Sequence, residues 1–361
     1  MTNIEPTATR TCLIVLGMHR GGTSVVSGAL GLLGATLPTD LLEPDSFNSK
    51  GYFESQSIMR INDETLQAVG TAWYDLRGIS PADLSSITVE KAKVELKEAI
   101  RHQYGDASLA VLKDPRFCRI FPALLDAIDD CDALPLVVFS CRNPLEVARS
   151  LKTRDGIALH HGLALWLHHM LEGEFQSRGV RRVFLDYGAF LRDWQTSIGR
   201  LERELGIALP RKDAAAEEVD RFIDPDLRHH KCDRHQLEGL SGTPGQLNST
   251  YEAFQKLVRN PHCEDAMHDL DLIRANFEAM SSFLGGGFKE YYAEISTLKA
   301  VERQMHNELE GLKTQSVDLR DSQRKLKAIE RSWSWRLTKP LRDVRYFMRR
   351  ISGKISYYRA S

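Results

Sequence analysis

Hydrophobic and polar residues along the first two hundred positions alternate between short apolar runs and longer helical periodicities. Four runs consist almost only of apolar or β-branched residues, as expected for parallel strands covered on both faces. These runs are Cys12–Leu16, Leu109–Leu112, Leu136–Ser140 and Val183–Asp186. Helical periodicity lies between and after them, at roughly 23–34, 54–69, 87–104, 117–129, 144–154, 160–177 and 188–205. The alternation predicts an α/β fold of three layers, with helices on both faces of a parallel sheet.

The strand pattern ends near residue 206, and the rest of the chain reads as a helical C-terminal extension. Residues 207–290 are mostly helical in their periodicity, with breaks predicted at Ser241–Gly245 and Gly285–Gly287. We therefore expect a domain over 1–290, with an α/β core at about 11–205 and a helical completion at 206–290.

Residues 291–330 form a polar segment with helical periodicity. Its apolar residues fit a partial heptad: Ile295, Leu298, Met305, Leu309, Leu312, Leu319 and Leu326. The companion positions Glu302, Ser316 and Gln323 are polar, so a weak coiled coil and a lone helix both remain open. Pairing of this segment would make the protein a homo-oligomer.

Composition and charge narrow the class of protein. The 361 residues are 42% hydrophobic and 27% charged, which suits a folded protein with a substantial core. No apolar stretch approaches a membrane span, no signal-peptide core is visible at the N-terminus, and the six cysteines lack C-x-x-C spacing. We therefore expect reduced cysteines and a cytoplasmic location.

The charge of the chain is asymmetric. The formal net charge is −1, yet residues 331–361 alone contain nine Lys or Arg and one Asp. A basic tail on an acidic body indicates that the tail meets an anionic surface. The negative charge of the body speaks against general binding of nucleic acid.

The stretch Gly17–Ser24, GMHRGGTS, joins the first predicted strand to the first predicted helix. Gly17 and Gly22 have the spacing of the nucleotide-binding P-loop, but Thr23 stands where that loop has its lysine. Backbone N–H groups and the helix dipole at such a junction bind phosphate, whereas a tight turn without a ligand is the plainer alternative. The lysine of NTPases reaches the β- and γ-phosphates, so its absence favours a ligand with a single 5′-phosphate.

A second candidate phosphate site follows the third predicted strand. Arg142 leaves the strand, Asn143 and Pro144 turn the chain into a helix, and Ser150 lies two turns further on. A guanidinium recognises phosphate oxygens in a bidentate manner, and a serine hydroxyl adds a donor. The alternative is a structural ion pair between Arg142 and Glu146.

Together these motifs resemble those of the sulfotransferases that use 3′-phosphoadenosine-5′-phosphosulfate (PAPS). The 5′-phosphosulfate loop of that family, K/R-x-G-T-[TS], is matched by Arg20–Ser24, and its 3′-phosphate motif by Arg142 and Ser150. The resemblance covers about residues 11–205. More narrowly, the chain resembles bacterial sulfotransferases, whose N-x-x-G-[YF]-[FW]-E, K-D-P-R and F-x-x-P-x-L-R-H segments correspond to Asn48–Glu54, Lys113–Arg116 and Phe222–His229.

The resemblance implies PAPS as co-substrate, 3′,5′-ADP as product and no metal. The sequence lacks the glycine-rich C-terminal nucleotide loop of the cytosolic animal enzymes, and we give its role to Arg228 and His229. The residues that the resemblance assigns to the donor are Arg20, Gly21, Gly22, Thr23, Ser24, Arg142, Ser150, Arg228 and His229.

Sulfuryl transfer needs in-line geometry and stabilisation of charge on the leaving phosphate, which we assign to Arg20. Glu54 is the first candidate for the general base, and the alternative is that it complements the dipole of the next helix. Asp114 is the second candidate, and the alternative there is a salt-bridged turn. Otherwise Lys113 and Arg116 orient the sulfonate or the acceptor.

The remaining conspicuous residues favour structural roles. The paired histidines at 160/161, 168/169 and 229/230 lack the H-x-x-x-H spacing and nearby acidic partners of a metal site. Tyr187 and Trp166 are expected to serve the core.

The tail segment Ser332–Arg342 resembles a C-terminal segment of bacterial surface-polysaccharide glycosyltransferases. Beside it, within the basic tail 331–361, one helical face is apolar and is surrounded by arginines; it comprises Val344, Phe347, Met348 and Ile351. Such a basic amphipathic helix fits the inner face of the plasma membrane, and a partner-docking or solvated helix is the alternative. The resemblances together imply transfer of a sulfuryl group to a hydroxyl of a carbohydrate or glycolipid. The alternatives are a kinase with a degenerate P-loop and a non-catalytic scaffold recruited to the membrane.

Overall fold

The computed structural model describes residues 10–84, 87–223, 232, 245–346 and 348, and within them four strands form one parallel sheet. The strands lie in the order β2-β1-β3-β4, so β1 and β3 are central. They are β1 Arg10–Leu16, β2 Leu109–Lys113, β3 Ala133–Cys141 and β4 Arg182–Asp186. All four predicted strands and the α/β class are confirmed.

Helices account for most of the remaining described residues. They are α1 Thr23–Leu32, α2 Gln56–Ala68, α3 Pro81–Leu84, α4 Ile87–Tyr104, α5 Phe117–Asp129, α6 Pro144–Asp155, α7 Leu159–Gln176, α8 Tyr187–Arg192, α9 Trp194–Leu205, α10 Ala216–Phe222, α11 Gly245–Arg259, α12 Glu264–Arg331 and α13 Trp333–Leu337. The single helix predicted at 188–205 is two helices, because Asp193 is extended (φ −151°) and its side chain caps α9 by accepting from Thr196 N.

The sheet separates two hydrophobic cores, which confirms the three layers. Along β1, Cys12, Ile14 and Leu16 face one core, which includes residues of α4, α5, α7 and α11. Leu13 and Val15 face the other core, which includes residues of α1, α8 and α9. Burial of alternate strand residues on opposite faces favours apolar side chains throughout the middle of each strand, and this is why the strands could be recognised as nearly continuous apolar runs. Polar residues such as Arg10, Lys113 and Asp186 stand at the strand ends.

Strand register brings three loops to one edge of the sheet. Leu16 at the end of β1 pairs with Phe139 in β3, and Val15 pairs with Lys113 at the end of β2. Because the strands are parallel, the segments that follow β1, β2 and β3 leave the sheet side by side. Ligands of such sheets bind at this edge.

Contacts divide the chain into two units, Met1–Phe288 and Lys289–Ser361. Helix α12 continues through Gly285–Gly287, so the break predicted there is wrong. A glycine costs a helix only about 1 kcal/mol relative to alanine, which a long helix can absorb. The other predicted break, at Ser241–Gly245, falls largely outside the described residues, and α11 begins at Gly245.

The second unit contains the predicted polar helix. Its heptad residues Leu298, Met305, Leu312, Leu319 and Leu326 are each more than half exposed. Pairing through this face stays a prediction. Among the described residues, no helix has both the length and the apolar character that crossing a membrane requires.

Candidate active site

At two positions of the loop after β1, Gly21 and Gly22, there is no room for a side chain. Gly22 is the N-cap of α1 with φ 90°, and no side chain caps this helix. A Cβ on Gly22 would lie 2.2 Å from a ring carbon of Tyr187, and one on Gly21 would lie 2.6 Å from the carbonyl oxygen of Met18. The loop therefore packs too closely for side chains and leaves the first N–H groups of α1 available to an anion.

Arg20 stands inside this loop in the left-handed region, with φ 63°. Its Nε donates to Ser150 Oγ at 2.8 Å, and its Nη2 donates to the carbonyl of Phe47 at 3.1 Å. Burial lowers the pKa of the guanidinium, and the nearby Arg154 and Arg142 lower it further. A bound anion would relieve this concentration of positive charge.

Arg142 lies directly beside the loop. Its Nη1 donates to the carbonyl of Arg20 at 3.0 Å, and its Nε donates to Glu146 Oε2 at 3.0 Å. The guanidinium carbon lies 4.7 Å from the ring centroid of Tyr187. The ion pair with Glu146 exists, and it holds Arg142 against the phosphate loop, so the structural and the ligand-binding interpretations are compatible.

A cavity of about 150 Å³ lies between the loop and Arg142. Three cations contribute to its wall, and no carboxylate is among the described residues that line it. The lining includes Arg20, Gly22, Ser24, Asn48, Lys50, Arg142 and Tyr187. Cations and an uncapped helix N-terminus give this cavity a chemistry that favours anions.

Tyr187 was expected only in the core, but it also lines this cavity. Its ring lies beneath Gly22 and Arg142 and is 5% exposed. Its role at the cavity could have been predicted from its position directly after β4, because ligands of parallel sheets bind at the edge where the strands end.

A second, smaller cavity of about 30 Å³ borders the same loop. It shares the walls Arg20, Gly22, Ser24 and Asn48 with the first cavity. Its other lining residues are His19, Thr23, Tyr52, Glu54, Lys113, Pro115 and Arg154. The two cavities therefore adjoin each other at the start of α1.

Glu54 and Lys113 form a buried ion pair at the second cavity. Their side chains are 6% and 2% exposed, and Lys113 Nζ also donates to the Tyr52 carbonyl at 3.0 Å and to Ser24 Oγ at 3.2 Å. Helix α2 is capped by Ser55, which accepts from Ile58 N at 3.2 Å. The carboxylate of Glu54 is therefore directed to Lys113 and not to the end of the helix.

Asp114 has a different environment. Its carboxylate accepts from Asn62 Nδ2 at 2.9 Å, from Arg116 N at 2.9 Å and from Arg116 Nη1 at 3.0 Å. Arg116 Nε in turn donates to Asp63 Oδ1 at 2.6 Å. These contacts fit the salt-bridged turn, and neither Asp114 nor Arg116 lines either cavity described above.

The segment that contains Asn48 and Glu54 wraps over the loop. Asn48 Nδ2 donates to the Gly51 carbonyl at 2.7 Å and to Ser24 Oγ at 3.4 Å. Tyr52 donates to Asp45 Oδ2 at 2.7 Å, and burial together with this hydrogen bond raises the pKa of Tyr52 to about 12. The segment therefore forms one wall of both cavities.

The third segment of the resemblance begins at Phe222. Its ring packs on Phe53 with centroids 5.7 Å apart, and its carbonyl accepts from Lys50 Nζ. Arg228 and His229, to which the sequence assigns a donor-binding role, lie outside the described residues.

The histidine pair 168/169 lies in the protein interior. Burial lowers the pKa of His169 to about 3 and holds the pKa of His168 well below its usual value. Trp166 is buried in the first core, as predicted. Across the described part of the chain, no group of three or more His, Cys, Asp or Glu residues is placed to hold a metal ion.

No protein-family model and no curated protein matches the chain. The solved structures that resemble it include two sulfotransferase domains. The sulfotransferase domain from the Synechococcus PCC 7002 olefin synthase is 15% identical with a TM-score of 0.37, and the match covers 76% of this chain and 98% of that one. The sulfotransferase domain from the curacin biosynthetic pathway is 11% identical with a TM-score of 0.32, covering 74% and 97%.

Proposed function

We propose that this chain is a sulfotransferase that moves a sulfuryl group from PAPS to a hydroxyl of a carbohydrate or glycolipid. The observation that supports this most is the meeting of two phosphate-binding elements at one cavity. Arg142 Nη1 contacts the carbonyl of Arg20 at 3.0 Å, and Arg20 Nε contacts Ser150 at 2.8 Å, although 122 and 130 positions separate these pairs in sequence. A donor with phosphates at both its 5′ and 3′ positions requires such a juxtaposition.

The residues at the cavity fit PAPS. The uncapped start of α1 and Arg20 would hold the 5′-phosphosulfate, and Arg142 would hold the 3′-phosphate. Ser150, which does not line the cavity but accepts from Arg20 Nε at 2.8 Å, would assist Arg142. When bound, PAPS supplies the activated sulfuryl group. The missing P-loop lysine is then explained, because this ligand has no β/γ-phosphate chain.

We assign the transfer step to the second cavity, which shares the lining residues Arg20, Gly22, Ser24 and Asn48 with the first. The acceptor oxygen forms its bond to sulfur as the bond from sulfur to the 5′-phosphate oxygen breaks, and the electron pair stays on that oxygen. Arg20 stabilises this charge electrostatically, since arginine is a poor acid. Glu54 takes the proton of the acceptor hydroxyl, while Lys113 orients the carboxylate.

Titration calorimetry of the full chain with 3′,5′-ADP and with ATP, each with and without Mg²⁺, tests the proposal. We expect 3′,5′-ADP to bind tightly and independently of Mg²⁺. Preference for ATP would support a kinase with a degenerate P-loop, and binding of neither nucleotide would support a scaffold. Transfer of label from [³⁵S]PAPS to free and lipid-linked saccharides then tests the acceptor.

We also propose that the tail contacts an anionic membrane surface at the cytoplasmic face. Trp333, Leu337 and Leu341 are exposed, and the guanidinium of Arg342 lies 3.5 Å from the ring centroid of Trp335. Exposed aromatic and aliphatic side chains beside cations suit a lipid headgroup region. Flotation with phosphatidylcholine vesicles, with and without phosphatidylglycerol, tests this, and equal recovery from both would contradict it.

We further propose that residues 291–330 pair with the same segment of a second copy. The exposed apolar heptad positions support this. Leu312→Asp should shift the protein to a monomer in sedimentation experiments, whereas Glu310→Gln, also exposed, should not. A monomeric unmodified chain would contradict the pairing.

A further inference from the structure

His19 lines the second cavity, yet the mechanism proposed above gives it no task. The side chain belongs to the phosphate loop and is 7% exposed. Its ring centroid lies 4.3 Å from that of Trp73 and 6.2 Å from that of His169. Packing against Trp73 therefore fixes the imidazole in one place at the cavity.

The imidazole has hydrogen-bonding capacity that the protein does not use. Within the described parts of the chain, His19 Nε2 is buried and has no hydrogen-bond partner. Buried polar atoms in folded proteins are usually paired. Other buried atoms such as His168 Nδ1 also have no partner, and what sets His19 Nε2 apart is that its residue lines a cavity. The neighbours on the cavity wall are Glu54 and Lys113, the pair to which we assign the proton transfer.

The charge state of His19 limits what it can do. Burial, and then the neighbouring cations Arg116, Arg154 and Lys113 and the His169 ring, hold the pKa of His19 well below its usual value. A neutral imidazole offers one donor and one acceptor and is a weak base. It can exchange a hydrogen bond with a hydroxyl group, and the role of base stays with Glu54.

The charges of the cavity restrict the acceptor as well. Among the described residues that line it, Arg20, Lys113 and Arg154 are cations, and Glu54 is the carboxylate. Arg154 is also paired with Asp155 at 2.8 Å. An ammonium group would be repelled here, whereas a neutral or anionic acceptor would not.

We propose that His19 determines acceptor specificity by hydrogen-bonding the acceptor through Nε2, and that this acceptor is a neutral or anionic hydroxyl compound and not a cationic one. The inference rests on the proposed function, because it takes the second cavity as the acceptor site. The inference adds His19 to the acceptor site and restricts the acceptor to neutral or anionic compounds.

Steady-state transfer from [³⁵S]PAPS to three para-nitrophenyl glycosides, a glucoside, a glucuronide and a 2-amino-2-deoxyglucoside, tests the proposal. We expect the unmodified chain to sulfate the first two and to disfavour the third. His19→Phe keeps the packing on Trp73 and should lower kcat/KM for the glucoside about tenfold, as loss of one hydrogen bond to a neutral group predicts. His19→Gln should restore most of this loss.

His168→Phe is the matched control, because His168 is also a buried histidine with an unpaired nitrogen but does not line the cavity. It should transfer like the unmodified chain. Affinity for 3′,5′-ADP should be the same in all four proteins.

Several outcomes would overturn the inference. They are an unchanged kcat/KM in His19→Phe, an equal loss in His168→Phe, failure of His19→Gln to restore transfer, or a preference for the amino sugar. If the unmodified chain binds 3′,5′-ADP but sulfates none of the glycosides, the assignment of this cavity to sugar hydroxyls fails while donor binding stands. If it does not bind 3′,5′-ADP, the proposed function fails and the inference with it.

Discussion

The buried ion pair of Glu54 and Lys113 permits a test that separates a catalytic carboxylate from a structural one. Glu54→Gln keeps the shape of the side chain and an oxygen that accepts from Lys113. It leaves an ammonium group that is 2% exposed without its counter-charge. A double variant, Glu54→Gln with Lys113→Met, removes both charges.

The expected magnitudes follow from the environment of the pair. Removing one partner of a buried ion pair costs about 3–5 kcal/mol. The Tyr52 carbonyl and Ser24 Oγ still accept from Lys113, so we expect the lower end of that range. At about 2–4 °C per kcal/mol, Tm should fall by roughly 6–12 °C. Replacing both charges is close to neutral, so the double variant should recover most of this stability.

Activity should behave differently from stability. Loss of a general base lowers transfer by about 10²–10⁴-fold, and restoring the charge balance does not replace the base. Thermal unfolding followed by circular dichroism gives Tm, and [³⁵S]PAPS gives the transfer rate. We expect the double variant to regain stability and to remain inactive. Asp114→Asn, at a buried carboxylate that lines neither cavity, should lose stability but keep transfer.

The reasoning would be refuted if the double variant regained transfer together with stability, since Glu54 would then serve only to neutralise Lys113. Full turnover by Glu54→Gln alone would refute it as well.

Three further predictions concern the donor site and the core. Arg142→Met, made with Glu146→Gln so that both charges of this ion pair are removed together, should weaken binding of 3′,5′-ADP about 10–100-fold. Binding of 5′-AMP, measured by calorimetry as well, should stay nearly unchanged. Equal losses would contradict the 3′-phosphate role. Gly22→Ala forces a residue with a side chain to φ 90°, so it should lower the free energy of unfolding in urea by about 1–3 kcal/mol. It should also abolish nucleotide binding. Gly199→Ala, in a helix with room for a Cβ, should instead be neutral or stabilising. The pKa of His169 falls from 6.5 unfolded to about 3 folded, so its contribution to stability is complete above pH 6.5 and decreases as the pH falls toward 3. His169→Phe should reduce the acid slope of the unfolding free energy by about 1.4 kcal/mol per pH unit, and an unchanged slope would contradict the assignment.

Elements whose signal is local could be predicted from the sequence. The run Leu136–Ser140 identified β3 because parallel strands bury both faces and so exclude polar residues. The division at Asp193 could not be predicted from periodicity, because it depends on a side chain that caps the next helix. The continuity of α12 through Gly285–Gly287 was missed because glycine lowers helix propensity without forbidding helix.

The candidate site likewise contains residues that local motifs indicate and residues that only the folded structure brings together. Motif spacing places Arg20 and Arg142 after adjacent strands, so their proximity follows from the order of the sheet. Tyr187 and His19 contribute through packing, since one fills the space that Gly22 leaves and the other lies against Trp73. Their contacts join residues far apart in the chain. The position of Tyr187 directly after β4 indicates a place at the site, whereas no local pattern in the sequence indicates the packing of His19 on Trp73.

The wall common to the two cavities restricts how this protein can diversify. Arg20, Gly22, Ser24 and Asn48 face both of them, so a substitution that tunes acceptor choice at any of these would also disturb the grip on the nucleotide. His19, Tyr52, Pro115 and Arg154 border the second cavity but not the first. If the second cavity takes the acceptor, as we propose, evolution toward new acceptors should proceed through those four positions while the common wall stays constant.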